Sequence, residues 1–173
     1  MPATADPHRT GIWYRHVRWM YRGARPNALA RLLNGLSAQQ YAAGLGPGHW
    51  VTLEVPGRRT GRLVSVPLVV ADHDGGRYLV AMLGERANWV ANVRAAGGRA
   101  VLRHGRREPV RLVEVPVADR APILRRHLAL APGARPHVPV DRHAPAADFA
   151  RIAAGFPVLR ILPDIPPAPG RAD

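Results

Sequence analysis

Gly57-Arg58-Arg59-Thr60-Gly61-Arg62 puts three guanidinium groups, a hydroxyl and several backbone N–H groups on one glycine-bracketed bend. Such a set of donors suits a phosphate or carboxylate tail, because guanidinium forks and turn amides donate and do not accept. Downstream, Asn88-Trp89-Val90-Ala91-Asn92 brings an indole and a carboxamide that could address a flat ring system. The bland alternatives are a solvated turn at 58–62, a core indole at Trp89 and a helix-surface amide at Asn92. The chemistry needs the bend and the later segment to meet, so the elements around them decide.

Period-two patterning surrounds the bend. Val51, Leu53 and Val55 alternate with Thr52 and Glu54, which predicts a half-buried strand. Residues 64–71 form a longer β run in which Pro67 points to an edge or a bulge. His73-Asp74-Gly75-Gly76 reads as a hairpin turn into a strand over 77–83. A short helix over 88–96 stops at Gly97-Gly98, and strands near 100–103 and 108–115 are joined around Gly105. Asp119 is placed to cap a helix reaching Leu130, followed by a Pro-rich loop over 131–145, a helix over 146–154 and a strand over 158–162. Before the bend, Asn27 is placed to cap a helix whose Leu29, Leu32, Leu33 and Leu36 form a stripe expected to face the core. Residues 12–22 also have helical spacing, with Trp13, Val17 and Met20 opposite Arg15, Arg18 and Arg22.

Five or six antiparallel-type strands with few helices predict an α+β chain, mainly antiparallel β. The expected organisation is a tail and amphipathic helices over 1–45, a barrel or roll over 46–164 and a Pro-rich tail over 165–173.

Composition excludes several chemistries. All 25 Lys+Arg cations are arginine, so a P-loop lysine and a Schiff-base lysine are both ruled out. The absence of cysteine removes disulfides, thiolate metal sites and a thiol nucleophile. Ser37 and Ser65 are the only serines, and neither sits in a Gly-x-Ser-x-Gly elbow. The eight histidines are scattered without metal-ligand spacing, so no metal is expected. A formal net charge of +13 favours anionic partners. No run approaches the ~20 apolar residues that span a bilayer. A cytoplasmic location is expected, with an anionic membrane surface as a candidate partner through the basic helix Ile12–Arg22.

In order and spacing, the bend, Pro67-Leu68, Asp74-Gly75-Gly76-Arg77 and Asn88-Trp89-Val90-Ala91-Asn92 together resemble the deazaflavin-dependent nitroreductase family. The resemblance covers about residues 48–116, with a weaker echo at Phe156-Pro157-Val158. It implies a split β-barrel (an FMN-binding-like roll) with N-terminal helices and short flanking helices, and it implies coenzyme F420. By that resemblance Arg58, Arg59, Thr60 and Gly61 grip the phosphate and glutamyl tail. Val64, Ser65, Val66, Pro67, Leu68 and Val69 line the ring-side wall. Ala81, Met82, Leu83 and Gly84, with Asn88, Trp89, Val90, Ala91 and Asn92, close over the cofactor, Trp89 and Asn92 foremost.

The implied activity is hydride transfer from reduced F420 to a small unsaturated, quinone-like or nitro acceptor, by a monomer or homodimer. No catalytic acid or base is identified. Family members place C-terminal tyrosines against the substrate, whereas this chain has tyrosine only at 14, 21, 41 and 78, so its substrate wall must be built differently. That difference leaves open a non-catalytic carrier of deazaflavin, flavin or lipid on the same barrel. A nucleic-acid binder rests on charge alone, without interleaved aromatics or a known motif, and nucleic acid is not an expected partner.

Overall fold

The computed structural model describes residues 28–164; the basic segment Ile12–Arg22, the cap at Asn27 and the tail over 165–173 lie outside them. Helix α1 (Ala28–Ala42) leads into β1 (Trp50–Pro56), β2 (Leu63–His73) and β3 (Gly76–Val80). Helix α2 (Asn88–Ala95), β4 (Arg99–His104) and β5 (Arg106–Glu114) follow, then α3 (Arg120–Leu130), α4 (Ala146–Ile152) and β6 (Val158–Pro163). The strands close into an antiparallel barrel in the order β1-β2-β3-β6-β5-β4, which is the fold class expected from the patterning. Among the described residues no helix is long and apolar enough to cross a membrane.

Two apolar clusters share the strands. Leu53, Val55, Leu79, Leu102, Val110 and Leu159 fill the barrel, with Trp89, Val90 and Val93 of α2 packed among them. Outside the barrel, Ala71, Tyr78, Val80 and Val158 pack against Leu124 and Leu128 of α3 and Phe149 of α4. Because side chains alternate across a strand, Leu79 points inward while its neighbours Tyr78 and Val80 point to the helices. The two-residue turn between β2 and β3 is tight, with Asp74 and Gly75 both at positive φ (44° and 70°), as a primed hairpin turn requires.

Three expectations need correction. β1 is not half-buried: Val51 through Val55 are all buried. Its polar positions are covered too, Thr52 donating its hydroxyl to the Ala38 carbonyl of α1. Glu54, 5% exposed, accepts from Arg103 Nη1 at 3.0 Å and faces Arg107 Nη2 at 3.4 Å. A period-two pattern cannot distinguish water from a satisfied partner on the polar face.

Three leucines of the α1 stripe do not face the core. Leu32, Leu33 and Leu36 are 62%, 44% and 51% exposed, while Ala38 and Ala42 are buried. The reason is steric: the helix backbone lies close enough to β1 for Thr52 to reach its carbonyl, and only small residues permit that approach. Gly44, at φ +79°, extends the same contact, since a Cβ there would stand 3.0 Å from the Gly105 backbone. The strand predicted over 77–83 ends at Val80, where the chain turns into a 3₁₀ segment at Gly84–Arg86. The loop over 131–145 contains a further 3₁₀ turn at Pro132–His137.

A buried carboxylate that loses a partner is destabilising even though the intact pair contributes little. Arg103→Ala should therefore lower the urea midpoint by the equivalent of about 2–3 kcal/mol, at the low end for a broken buried pair because Arg107 remains. Arg99→Ala, whose side chain is largely exposed, should leave the midpoint nearly unchanged.

Candidate functional site: the open edge of β2

β2 is paired along its whole contact with β1, from Trp50↔Val69 to Pro56↔Leu63. Its pairing with β3 covers only Val70↔Leu79 to His73↔Gly76. Residues 63–69 are therefore sheet edge on one side, and Pro67, which has no N–H to offer, sits within that edge. The expectation of an edge at Pro67 is met inside a barrel that is otherwise closed.

At the start of this edge stands the arginine bend. Its backbone is braced internally: Gly57 N–H donates to the Arg62 carbonyl at 2.8 Å, and Thr60 and Gly61 N–H both donate to the Gly57 carbonyl. Gly61 adopts φ +67°, the left-handed conformation that favours glycine. The Thr60 hydroxyl accepts from Arg62 N–H at 3.3 Å. The bend thus uses most of its own amides, and its anion-binding capacity lies in the side chains.

Asn92 joins the bend to α2. Its buried Oδ1 accepts from Arg58 N–H at 3.2 Å and from Arg58 Nη1 at 3.0 Å. The bend and the Asn88–Asn92 segment therefore do meet. Among the described residues Arg58, Arg59 and Arg62 have no carboxylate partner, whereas Arg77, Arg94, Arg103, Arg107, Arg120, Arg126 and Arg151 all do. Three uncompensated guanidiniums at one exposed bend are the donor set an anionic tail requires. The residues present fit an acidic cofactor such as F420.

The segment after β3 meets this edge at Met82, which lines one cavity with Pro67, Leu68 and Val69. Met82, Leu83, Gly84, Glu85, Arg86, His137, Gly155 and Phe156 border an open cleft of about 470 Å³. Gly84, at φ +71°, passes so close to the Gly155 carbonyl that a Cβ would stand 2.8 Å from it. Charged anchors hold this lip. Arg94 Nη1 donates to Glu85 Oε2 at 2.9 Å, and its Nε donates to Glu114 at the end of β5. The hydrogen bond from Arg94 holds the Glu114 carboxyl below its usual range. Buried Arg120 donates to the carbonyls of Val115, Ala153 and Phe156 at 2.8, 3.4 and 3.4 Å.

The remaining sequence-predicted residues divide by burial. Arg59, Thr60, Gly61, Ser65 and Asn88 are exposed, and Val64, Val66, Pro67, Leu68, Val69, Met82, Leu83, Gly84 and Ala91 are partly buried along the edge and lip. Ala81 and Val90 are fully buried, and Trp89 is 7% exposed within the barrel cluster. Trp89 is accordingly a core residue and not an indole free to stack on a ring. It lies in the first turn of α2, and burial of a large aromatic surface holds that helix in the barrel mouth.

Sequence reasoning missed a second cavity, of about 230 Å³, on the outer face of the same edge. Tyr41 and Trp50 wall it with ring centroids 5.0 Å apart, and Pro67, Leu68, Met82 and His127 also line it. His127 is 4% exposed, and among the described residues neither ring nitrogen has a partner. The available signal was its place beside Leu124 and Leu128 on the buried stripe of α3.

The family of F420H(2)-dependent quinone reductases matches this chain over residues 13–145. A split-barrel deazaflavin reductase is the class that this match and the antiparallel barrel define. The chain belongs to the F420H(2)-dependent quinone reductase family; it is an enzyme, and its cofactor is F420. The reductase reading thereby replaces the carrier alternative. Similar solved structures include an F420-H2-dependent reductase, 19% identical over 66% of this chain and 95% of that one, with a TM-score of 0.44. Another is an F420 reductase, 14% identical over 72% and 94%, with a TM-score of 0.42. A heme-binding protein from Mycobacterium smegmatis is 14% identical over 72% and 50%, with a TM-score of 0.45. No curated protein matches the sequence. The family match over most of the chain carries the assignment.

Burial alone pushes the His127 pKa down to about 4 from its ordinary 6.5. Between those values the unfolded chain binds a proton that the folded chain does not, so stability falls as pH drops from about 6.5 toward 4. The loss should approach about 3 kcal/mol near pH 4. In His127→Gln that part of the pH dependence should vanish, which chemical denaturation at pH 7 and pH 4.5 would measure.

Proposed function

We propose that this chain transfers a hydride from reduced F420 to a quinone-type acceptor, along the open edge of β2. The observation that carries the reading is the trio of acid-free guanidiniums at one end of that edge, with the cavity lined by Pro67, Leu68 and Val69 at the other. Five residue steps separate Leu63 from Leu68, about 17 Å of extended chain. That span suits a cofactor whose acidic tail and flat head are well separated.

Arg58 and Arg59 bind the anionic tail, with Arg62 adding charge and Thr60 shaping the turn. Asn92 acts on Arg58 as a positioning residue: accepting from both backbone and side chain, it holds the guanidinium in one orientation before the ligand arrives. Pre-organised donors lose less freedom on binding and so contribute more affinity. Residues 64–69 form one wall for the ring, and Met82, Leu83 and Gly84 form the other. Reduced F420 supplies the hydride and its two electrons to the acceptor. Trp89, Val90 and Ala81 support the site from within the core. The anchors at Arg94 and Arg120 hold the lip in position beside the site.

Charge-assisted hydrogen bonds contribute about 1.5–3 kcal/mol each. Arg58→Ala/Arg59→Ala should therefore weaken F420 binding by roughly 100-fold or more, read from fluorescence titration of the coenzyme. Asn92→Ala should weaken it by roughly tenfold through loss of positioning. Failure of the unaltered protein to bind F420 below roughly 100 μM would count decisively against this reading.

A further inference from the structure

We propose that the cavity on the outer face of the β2 edge is the acceptor subsite, and that His127 anchors the acceptor by a hydrogen bond to a ring carbonyl oxygen. The inference rests on the proposed function, because it names where the acceptor of that reaction binds. Two independent observations carry it.

The first is the unsatisfied imidazole. His127 lies on the buried face of α3 with both Nδ1 and Nε2 out of reach of any protein partner. A neutral imidazole presents one N–H donor and one lone-pair acceptor, and buried polar groups in native proteins nearly always have a partner. A residue that borders a cavity and lacks one is placed to be completed by a ligand.

The second is the character of the walls. Pro67, Leu68 and Met82 bring apolar surface from the proposed ring-binding edge, so an occupant would lie against the residues that flank the cofactor. Tyr41 and Trp50 add two aromatic rings inclined at 41°. Among the described residues no Arg, Asp or Glu lines the cavity, and its other polar side chains are those of Asn34 and Ser37 on α1. Those walls suit a neutral, flat occupant, with the aromatic and aliphatic side chains against its faces and the few polar groups at its edge. At about 230 Å³ the cavity lies below the usual range for ligand pockets, so the occupant is small. A small cyclic dione has that shape, with apolar faces and an oxygen that accepts from N–H.

The test compares menadione with 2-methylnaphthalene, which has nearly the same shape and no carbonyl, by calorimetric titration of the full chain without coenzyme. The unaltered protein should prefer menadione by about tenfold, the contribution of one hydrogen bond to a buried partner. His127→Phe should abolish the preference, and His127→Gln, which retains an N–H donor, should keep part of it. Equal binding of both probes by the unaltered protein would overturn the proposal, as would an undiminished preference in His127→Phe. If His127→Phe does not fold, ¹⁵N-histidine spectra of the unaltered protein decide. One imidazole signal, assigned by its loss in His127→Gln, should move with menadione and not with 2-methylnaphthalene; no movement would overturn the proposal. F420 titration of the unaltered protein reports separately on the cofactor reading, since the probe comparison needs no coenzyme.

Discussion

Incomplete pairing of β2 is the constraint on which the site depends. Above Val70 the strand has neighbours on both sides; below it, only β1 holds it. A barrel closed along its whole length would have filled this side with another strand. The gap instead exposes an edge long enough to run beside an extended ligand. Pro67 lowers the cost of leaving that edge unpaired, because a residue without an N–H cannot recruit a foreign strand there.

Keeping a partial gap open requires that everything around it be held firmly. The barrel interior is packed by α2, whose Trp89 and Val90 anchor the helix that presents Asn92 to the bend. On the far side Arg94 and Arg120 bind the lip through carboxylates and main-chain carbonyls. In these positions arginine suits the task better than lysine, since its planar fork can serve several acceptors at once. Some arginines are therefore locked into the scaffold by carboxylates, while the three at the bend are left without one.

The same division explains which sequence expectations transferred to the structure. Strand positions, the β2–β3 hairpin and the proline edge follow from local rules: side-chain alternation, turn conformation and a missing N–H. The arginine bend and the Asn92 segment were identifiable by residue type, and their contact depends on barrel closure across a separation of 34 residues. Trp89 shows the limit of such reasoning. An aromatic at that position reads equally well as a ring platform or as a core plug, and only its burial decides between them.

Residue types alone established the basic chemistry of this chain: arginine-only cations, an acid-free turn, no thiol and no lysine, and β patterning suited to a barrel. These properties belong to single residues or near neighbours, and no distant contact can alter them. Tertiary structure decided that Leu32, Leu33 and Leu36 of α1 face outward, that β1 is covered on both faces and that His127 is buried without a partner among the described residues. Each of these depends on which surfaces meet when remote segments pack. A helix resting its small residues on a sheet, or a histidine enclosed beside a proline edge, leaves no periodic trace in the linear chain.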